Sequence, residues 1–510
     1  MSRIGDMRGL LASSIGVTCA AALALPLSPP AAAAPRTVSA SALPPGDAAA
    51  PAAPDLPGST QSLPLVPLAP DHRGSTTRTP GALTKDQGLP RRDVHRFSLV
   101  GVVWDDPDAE LRGRVQVRTR AAGARAWSGW RDVDTHYGDH GADPGTAEYA
   151  SVRVRGATAP LWVGDSDGVE VRVHAESGAH GPASAQRAGR SLRAVPPAGS
   201  RPRLPSGLRL ELVDPGRAKP GPAVAAARSG PRHAPVAAPR AGAAKSRTPR
   251  GTSDAAVRLT AAAAAASSAN ADLVPLGATV IPALTRRQTV DELRTLAAAD
   301  PAQRQRATPY IGPRPRIVTR LGWGASETLR EKGFVYTSKV KAAFVHHTAS
   351  GNTYTCAQAP SVIRGIYRYH VKSMGWRDIG YNFLVDKCGN IYEGRAGGVT
   401  KPVRGAHTLG FNTDSMGIAV LGTYGTTEPA AAAVTAIARL TAWKLGLFGA
   451  NPSGKTYLTS GGGNLYRKGK KVRLNVISGH RDGFATECPG RQLYGKLGTA
   501  RTNAARYQGR

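Results

Sequence analysis

One histidine and one cysteine lie close together near the end of the chain, in the stretch HRDGFATECPG at residues 480–490. These two residues, His480 and Cys488, suit a metal site, half of a disulfide bond, or a loop in which a small cysteine is simply buried. A further candidate ligand comes from upstream, where the apolar run KAAFV is followed directly by His346 and His347. Catalytic zinc usually takes three protein ligands from His, Cys and carboxylates, and one position remains for water. His346, His480 and Cys488 would form such a set, although paired histidines are also common at a solvated strand end.

The first 34 residues have the features of a secretory signal peptide. Arg3 and Arg8 give a positive start, an apolar run covers residues 10–27, and Ala32 to Ala34 supply small residues for cleavage. The alternative is a membrane anchor, but a spanning helix needs roughly 20 apolar residues and prolines interrupt this short run. We therefore expect a secreted protein whose mature chain has no transmembrane segment.

Secretion makes the number of cysteines informative, because disulfide bonds form in oxidising compartments. Once Cys19 is removed with the signal peptide, Cys356, Cys388 and Cys488 remain, so one cysteine has no partner. A bond between Cys356 and Cys388 would close a loop and stabilise a secreted domain by roughly 3 kcal/mol. A bond between Cys356 and Cys488 is the alternative, and it would consume the candidate ligand. We favour the first pairing, which leaves Cys488 for a metal.

The chain carries 67 basic and 35 acidic residues, which gives a formal net charge of +32. One interpretation is that arginine is abundant in linkers rich in Ala and Pro. The other interpretation is attraction to a polyanion. For an exported protein, anionic wall polymers or an anionic membrane face are the expected polyanions, and nucleic acid is not an expected partner.

Composition divides the chain into segments. Residues 35–92 and 216–305 are too poor in apolar residues for a packed core, which predicts a disordered segment and a low-complexity basic linker. Between them, residues 93–215 contain runs such as RVQVRTR, YASVRVR and VEVRVHA that alternate apolar with polar residues. This pattern predicts an all-β, sandwich-like accessory domain. Its four tryptophans, which belong either to the core or to a carbohydrate-binding face, are Trp104, Trp127, Trp130 and Trp162.

From residue 314 the pattern changes to strands mixed with long helices. The stretches KAAFVHH, YNFLVDK and MGIAVLG read as strands, and residues 357–374 and 428–447 repeat apolar residues at helical spacing. We therefore predict an α/β domain over residues 314–497, with a mixed central sheet flanked by helices, followed by a tail over residues 498–510.

Five motifs of this domain occur in the order found in one protein family. They are RLGWGA, FVHHTA, MGWRDIGYNFLVDKCGNIYEGR, GAHTLGFNTDSMGIAVLG and GHRDGFATECPG. Together they resemble the peptidoglycan recognition protein domain, which is related to the phage-type zinc amidases. The resemblance covers residues 314–497, slightly more than a third of the chain. The layout with an upstream β domain and a linker is similar to that of secreted actinobacterial members.

The resemblance implies a zinc-dependent N-acetylmuramoyl-L-alanine amidase, which cleaves the amide between the lactyl group of muramic acid and the stem peptide of peptidoglycan. It implies Zn²⁺ as the cofactor, with His346, His480 and Cys488 as its ligands. Tyr381 matches the catalytic tyrosine of the family, and Thr486 occupies a position where phage members have lysine. Five residues match positions that line the substrate groove of the family: His370, Trp376, Arg395, His407 and Asn412.

One position departs from the pattern of more distant bacterial relatives. Ala419 stands in the strand MGIAV, where those relatives carry a glutamate that serves as general base. Proton transfer would then depend on Tyr381, Thr486 and water. His347 is expected to be structural or to support a ligand.

The resemblance leaves a second function open, because some members of the family bind muropeptides without hydrolysing them. Such members typically lose the cysteine ligand, whereas Cys488 and Tyr381 are both present in this chain. A wall adhesin that acts through the β domain and the basic linkers is a further alternative. We favour the enzyme, secreted and associated with the cell wall, with peptidoglycan as its substrate.

Overall fold

A computed structural model describes the protein over residues 58–68, 86–176, 204–216, 259–298 and 309–510. The predicted signal peptide at residues 1–34 lies outside the described residues, as do large parts of the predicted disordered segment and linker. Within the described ranges, no helix is both long and apolar enough to cross a membrane.

The described residues of the amino-terminal part fold into one antiparallel sheet of eight strands. These strands are β1 Ser59–Pro64, β2 Val66–Pro67, β3 Asp86–Trp104, β4 Gly113–Ala121, β5 Arg131–Val133, β6 Gly156–Ala157, β7 Leu161–Ala175 and β8 Arg209–Asp214. The order in the sheet is β1-β8-β3-β7-β4-β5, and β2 and β6 both pair with β3. The prediction of an all-β accessory domain is confirmed.

Two details of this domain differ from the sequence prediction. Strands β1 and β2 and the start of β3 fall within residues 35–92, which were predicted to be disordered. The prediction is wrong there because β1 pairs with β8, from Ser59 opposite Asp214 to Pro64 opposite Arg209. Because the average apolar content of residues 35–92 is low, composition gave no indication of the short strand β1. The run YASVRVR was predicted to be a strand, but residues 149–155 form turns, and the side chain of Val152 points into solvent.

Strand β3 is buried on both faces. Val100 and Val102 belong to the core of the sheet, whereas Leu99 and Val103 point the other way and pack with residues of the carboxyl-terminal domain. Such a continuous apolar run is expected for a strand that is covered on both sides. The amino-terminal sheet is therefore packed against the domain that carries the predicted site.

The four tryptophans divide into two pairs. Trp104 and Trp162 are buried core residues. Trp127 and Trp130 are partly exposed, and guanidinium groups lie over their rings, with Arg172 Cζ 4.4 Å from the Trp130 ring centroid. Core packing therefore accounts for the first pair, and the role of the second pair stays open.

The carboxyl-terminal part is a mixed sheet with helices on both faces. Its helices are α1 Ala261–Ser268, α2 Arg286–Ala298, α3 Arg320–Trp323, α4 Ala359–Arg368, α5 Ala431–Leu447, α6 Arg491–Gly495 and α7 Leu497–Gln508. Its strands are β9 Val280–Ile281, β10 Ile317–Val318, β11 Ala342–His347, β12 Phe383–Val385, β13 Ile391–Glu393, β14 Ser415–Val420, β15 Lys455–Thr459, β16 Lys471–Asn475 and β17 Ile477–Gly479. The sheet order is β17-β11-β14-β12-β13-β10-β9, and β15 and β16 form a separate two-stranded sheet. The predicted α/β domain with a mixed central sheet is confirmed.

This domain is larger than the sequence predicted. Residues 261–298 were assigned to the linker, but they form α1, β9 and α2, and Ile281 of β9 is buried in the main core. Residues 498–510 were assigned to a tail, but most of them form α7, in which Ala500 and Ala504 are buried. Both predictions are wrong because small alanine side chains allow close packing without a conspicuous apolar pattern.

Strand alternation decides which side chains face the site. Along β14, Met416 and Ile418 point into the core shared with α5 and α7, whereas Ala419 points to the opposite face, towards α4. Along β11, Val345 likewise faces α5, so the adjacent His346 faces the α4 side. The predicted ligand is therefore directed away from the main core.

Candidate metal centre

Two of the predicted ligands leave the sheet at the same edge. Strand β11 runs parallel to β14 and β17, with Val345 opposite Gly479. His346 and His480 each follow one of these paired residues, at the carboxyl ends of adjacent strands, where sites of α/β proteins are commonly built. The centroids of the two imidazole rings are 4.4 Å apart.

The third predicted ligand returns to the same place through a short loop. A 3₁₀ turn over His480–Asp482 begins the loop, and the backbone N–H of Arg481 donates to the carbonyl oxygen of Cys488 at 3.0 Å. This bond closes the loop and brings Cys488 Sγ to 3.8 Å from His346 Nδ1. The three predicted ligands are thus together, and they are buried.

A fourth side chain, from the amino-terminal domain, joins this group. It belongs to residues 134–155, which connect β5 with β6 through turns and extended chain, and which we call the 134–155 segment. Among the described residues, a cluster of four potential ligand atoms lies within 4.8 Å of one another, contributed by His140, His346, His480 and Cys488. The sequence pattern did not reveal His140, because this residue lies outside residues 314–497, which carry the family motifs. The available signal was the run HYGDHGAD, which places two histidines and two aspartates in one loop.

The cluster fits a zinc ion. Zinc–nitrogen bonds of about 2.0–2.1 Å and a zinc–sulfur bond of about 2.3 Å place tetrahedral ligand atoms about 3.3–3.7 Å apart, close to the Cys488 to His346 separation of 3.8 Å. His140 Nε2 and both ring nitrogens of His480 are buried and have no hydrogen-bond partner among the described residues. Because a buried polar atom without a partner costs about 1–3 kcal/mol, a divalent cation bound to these nitrogens would offset that cost.

Burial keeps the imidazoles neutral. It lowers the pKa of His346 well below its usual range and lowers the pKa of His480 to about 3, although the Asp139 carboxylate acts in the opposite direction on His480. Burial also raises the pKa of the Cys488 thiol, so a thiolate at this position needs a cation beside it. Neutral imidazole and thiolate are the forms that bind a metal.

Asp139 orients the histidine that comes from the amino-terminal domain. Its Oδ1 lies 2.7 Å from His140 Nδ1, and its Oδ2 lies 3.7 Å from His480 Nδ1. Burial alone would raise the pKa of Asp139, but His140 and His480 outweigh this effect, so the pKa lies below its usual range. A carboxylate on one ring nitrogen fixes the orientation of a ligating histidine. Asp139 therefore leaves Nε2 of His140 available to a metal.

The two predicted catalytic hydroxyls lie beside the cluster. The Tyr381 ring centroid is 5.5 Å from that of His346, and its hydroxyl is 3.0 Å from the hydroxyl of Tyr137. Thr486 Oγ1 accepts a hydrogen bond of 3.1 Å from the backbone N–H of Cys488. Burial keeps Tyr381 protonated, because it raises the pKa of the phenol well above its usual range.

Comparison with known proteins places the chain in a family. A profile described as N-acetylmuramoyl-L-alanine amidase matches residues 336–491, and one described as Rv3811 N-terminal galactose-binding domain-like matches residues 49–195. Peptidoglycan-recognition protein SC2 of Drosophila simulans is 32% identical over 183 residues, which are 36% of this chain and 85% of that protein. The chain belongs to the peptidoglycan-recognition protein family. Peptidoglycan recognition protein 3 of Homo sapiens is 35% identical over 122 residues, which are 24% of this chain and 34% of that protein.

Solved structures of the peptidoglycan-recognition protein family also match. Wild-type Drosophila PGRP-LB shares 26% sequence identity, and the match covers 36% of this chain and 92% of that chain with a TM-score of 0.28. PGRP-LE, solved in complex with tracheal cytotoxin, shares 33% identity with the same coverage and a TM-score of 0.28. Membership of the family follows from the sequence relatives rather than from these structural matches.

Four of the five groove residues predicted from this family are in contact with the 134–155 segment. They are His370, Trp376, Arg395 and Asn412. The fifth, His407, lies on the other side of the cluster, with its ring centroid 5.3 Å from that of His346 and its Nδ1 3.0 Å from Thr408 Oγ1. The fold therefore brings four of the five against one segment, and the fifth next to His346.

The remaining predicted positions support the domain. His347 is buried, and its Nδ1 accepts a hydrogen bond of 3.3 Å from the backbone N–H of Tyr424. Cys356 and Cys388 form the disulfide bond that was preferred from the sequence, and Cys488 is the one free cysteine among the described residues. Ala419 lies directly opposite His346 in the sheet, where its methyl group offers no base.

Proposed function

We propose that this protein is a zinc-dependent N-acetylmuramoyl-L-alanine amidase, which hydrolyses the lactyl amide between muramic acid and the stem peptide of peptidoglycan. The observation that supports this proposal most strongly is the convergence of His346, His480 and Cys488 beside the ring of Tyr381. The match of residues 336–491 to the amidase family favours the same reaction.

The residues around the cluster have distinct roles in the proposed reaction. A bound zinc ion would supply Lewis-acid activation of the water and of the scissile carbonyl group. The Tyr381 hydroxyl, kept protonated by burial, would donate a hydrogen bond to the oxyanion that develops on the carbonyl oxygen. Thr486 would supply a second hydroxyl there. Tyr381 or a water molecule would pass a proton to the leaving amine, since Ala419 offers no carboxylate.

The proposed substrate sets the proposed location. Peptidoglycan lies outside the cell membrane, so we propose that the protein is secreted and associated with the cell wall, in agreement with the signal-like first 34 residues. The net charge of +32 would favour contact with anionic wall polymers. The sequence relatives are named for recognition of peptidoglycan, which supports a muropeptide as the ligand of the groove.

Product analysis tests the proposed reaction. The full-length protein is loaded with zinc and incubated with purified peptidoglycan, and the products are identified by mass spectrometry. Free stem peptides with an amino-terminal alanine are expected, and Cys488→Ala, which removes a ligand, should release none. Tyr381→Phe should reduce the rate by about 10²–10³, the usual cost of losing one oxyanion donor. Cleavage of the glycan strand or within the peptide would contradict the proposal.

A second candidate function is recognition of muropeptides without hydrolysis. It is favoured by the presence of His140 as a fourth potential ligand, because metal sites closed by four protein ligands are usually structural. The same experiment separates the two functions. A recognition protein would bind soluble muropeptides and leave the lactyl amide intact in every variant.

A further inference from the structure

The cluster of potential metal ligands is completed by a residue from outside the amidase domain. We propose that His140 is the fourth protein ligand of the metal, and that the 134–155 segment keeps the full-length protein latent by filling its substrate groove. The latency part rests on the proposed function, because it takes the groove as the peptidoglycan site. The ligand part concerns only the metal and stands independently of the reaction.

The position of His140 is that of a ligand. Its ring centroid lies 4.6 Å from that of His480 and 5.2 Å from that of His346, and its Nε2 is buried without a hydrogen-bond partner among the described residues. Asp139 holds the opposite ring nitrogen. Catalytic zinc sites keep the fourth position for water, whereas sites with four protein ligands are closed. His140 therefore takes the position that water needs for the reaction.

Tyr137 covers the predicted catalytic tyrosine. Its hydroxyl is 3.0 Å from that of Tyr381 and 2.8 Å from His370 Nε2. Its ring is nearly parallel to that of Trp376, with centroids 6.4 Å apart and an interplanar angle of 10°, and it stacks on His140 at 4.4 Å. Tyr137 thus contacts three predicted site residues that a substrate would have to reach.

Two carboxylates of the 134–155 segment accept hydrogen bonds from polar groups of the groove. Asp143 Oδ1 accepts a hydrogen bond of 2.7 Å from Asn412 Nδ2, and Glu148 accepts two from the Arg395 guanidinium at 2.8 and 2.9 Å. An amide and a guanidinium are groups that bind the carbonyls and carboxylates of a peptide. The segment therefore presents to the groove the same chemistry that a stem peptide would present.

The groove is closed as a result. Tyr381, His370 and Asn412 are each fully buried, with no exposed surface. Cleavage of an extended polymer requires these groups to reach solvent, so the segment has to leave before peptidoglycan can bind. It is anchored at both ends by backbone bonds to the amidase domain, since the Leu409 N–H donates to the Asp139 carbonyl and the Arg155 N–H to the Met374 carbonyl, each at 3.1 Å.

Zinc X-ray absorption spectroscopy tests the ligand part on the full-length, zinc-loaded protein. Wild type should show three imidazoles and one sulfur, and His140→Ala should show two imidazoles, one sulfur and one additional light atom. Zinc affinity should fall by about tenfold or more, since even residues that only support a ligand change affinity by that factor. His136→Ala is the matched control, because His136 lies in the same segment with its side chain 86% exposed. Two imidazoles in wild type, or three in His140→Ala, would overturn the proposal.

Binding of a soluble, fluorescently labelled muramyl peptide tests the latency part. The combined variant Tyr137→Phe and Glu148→Gln weakens the contacts of the 134–155 segment with the groove and keeps His140. It therefore tests latency even if His140→Ala does not fold. Both variants should bind the peptide about tenfold more tightly than wild type, as expected when the open state rises from about a tenth of the molecules to nearly all. His136→Ala should bind like wild type. Equal affinities in all four proteins would overturn latency.

Hydrolysis of the same peptide separates this proposal from the proposed function. If His140→Ala and the combined variant bind more tightly but hydrolyse nothing, the amidase function fails and the latent, four-ligand state stands. If wild type hydrolyses the peptide as fast as both variants do, the amidase function stands and latency fails.

Discussion

Glu148 and Arg395 form a buried ion pair between the two folded parts of the chain. Two hydrogen bonds of 2.8 and 2.9 Å join their side chains, which are only 6% and 8% exposed. Burial would raise the pKa of Glu148, but Arg395 outweighs this effect and lowers it. Since neither charge is solvated well, each depends on the other, and this pair holds the 134–155 segment on the amidase domain.

We predict that Glu148→Ala destabilises the protein by about 3–5 kcal/mol, because it leaves the Arg395 guanidinium buried without its partner. Chemical unfolding of the full chain measures the loss. Glu110→Ala is the control, since the Glu110 side chain is 74% exposed and its replacement should change stability by about 0.5 kcal/mol or less. A loss for Glu148→Ala no larger than that of the control would mean that the pair is not buried in solution.

A second prediction concerns the contact of β3 with the π-helical turn Tyr369–Ser373, which follows α4. A Cβ atom on Gly101 would lie only 2.3 Å from the Tyr369 hydroxyl oxygen, which donates to the Thr158 carbonyl at 3.1 Å. Gly101→Ala should therefore push the two domains apart locally at a cost of about 1–3 kcal/mol. Faster hydrogen exchange within the 134–155 segment is the expected readout. Gly129→Ala, where a Cβ atom would meet nothing within 4 Å, should leave exchange unchanged.

Metal binding should stabilise the folded chain. A ligand present at 1,000 times its Kd stabilises the state that binds it by about 4 kcal/mol, and the buried cluster exists only in the folded protein. Zinc should therefore raise the thermal unfolding midpoint of wild type, and a chelator should lower it again. Cys488→Ala, which removes one of the four potential ligands, should show a smaller shift. An equal shift in both proteins would place the zinc elsewhere.

The sequence was most informative where function depends on short motifs. The family resemblance assigned His346, His480 and Cys488, and strand alternation with parallel pairing explains why the fold brings them together. The family resemblance could not reveal His140. This residue lies more than 200 positions before His346, and no local sequence pattern predicts which loop packs into the groove. The alternating run YASVRVR even indicated a strand where the chain forms turns against the amidase domain.

The predicted domain boundaries were wrong for a different reason. Average composition marked residues 59–64, 261–298 and 498–510 as disordered segment, linker or tail, yet each range forms strands or helices. These elements are stabilised by pairing and close packing with distant parts of the chain, as with β1 along β8 and α7 against α5. The average composition of a short stretch of sequence carries no information about the distant element against which that stretch packs.

The last prediction concerns the pH dependence of stability at Glu393, which lies away from the metal cluster. Burial raises the pKa of this carboxyl from 4.5 to about 7, although Asn270 and Arg320 donate hydrogen bonds to it. Because the folded pKa lies above the unfolded one, the folded state holds more protons between these values, and this group lowers stability as pH rises from 4.5 to 7. The shift corresponds to about 3 kcal/mol in total, and the change levels off only as the pH rises above the folded pKa.

Comparison of wild type with Glu393→Gln isolates this group from the buried histidines, which change stability in the opposite direction as pH rises. Glutamine stays neutral, so the unfolding free energy of wild type should fall by about 3 kcal/mol relative to the variant between pH 4.5 and 7. Glu110→Gln controls for the loss of one exposed carboxylate. A wild-type to variant difference that does not change with pH would show that Glu393 ionises in the folded protein as readily as in the unfolded chain, and that its burial against Asn270 does not persist in solution.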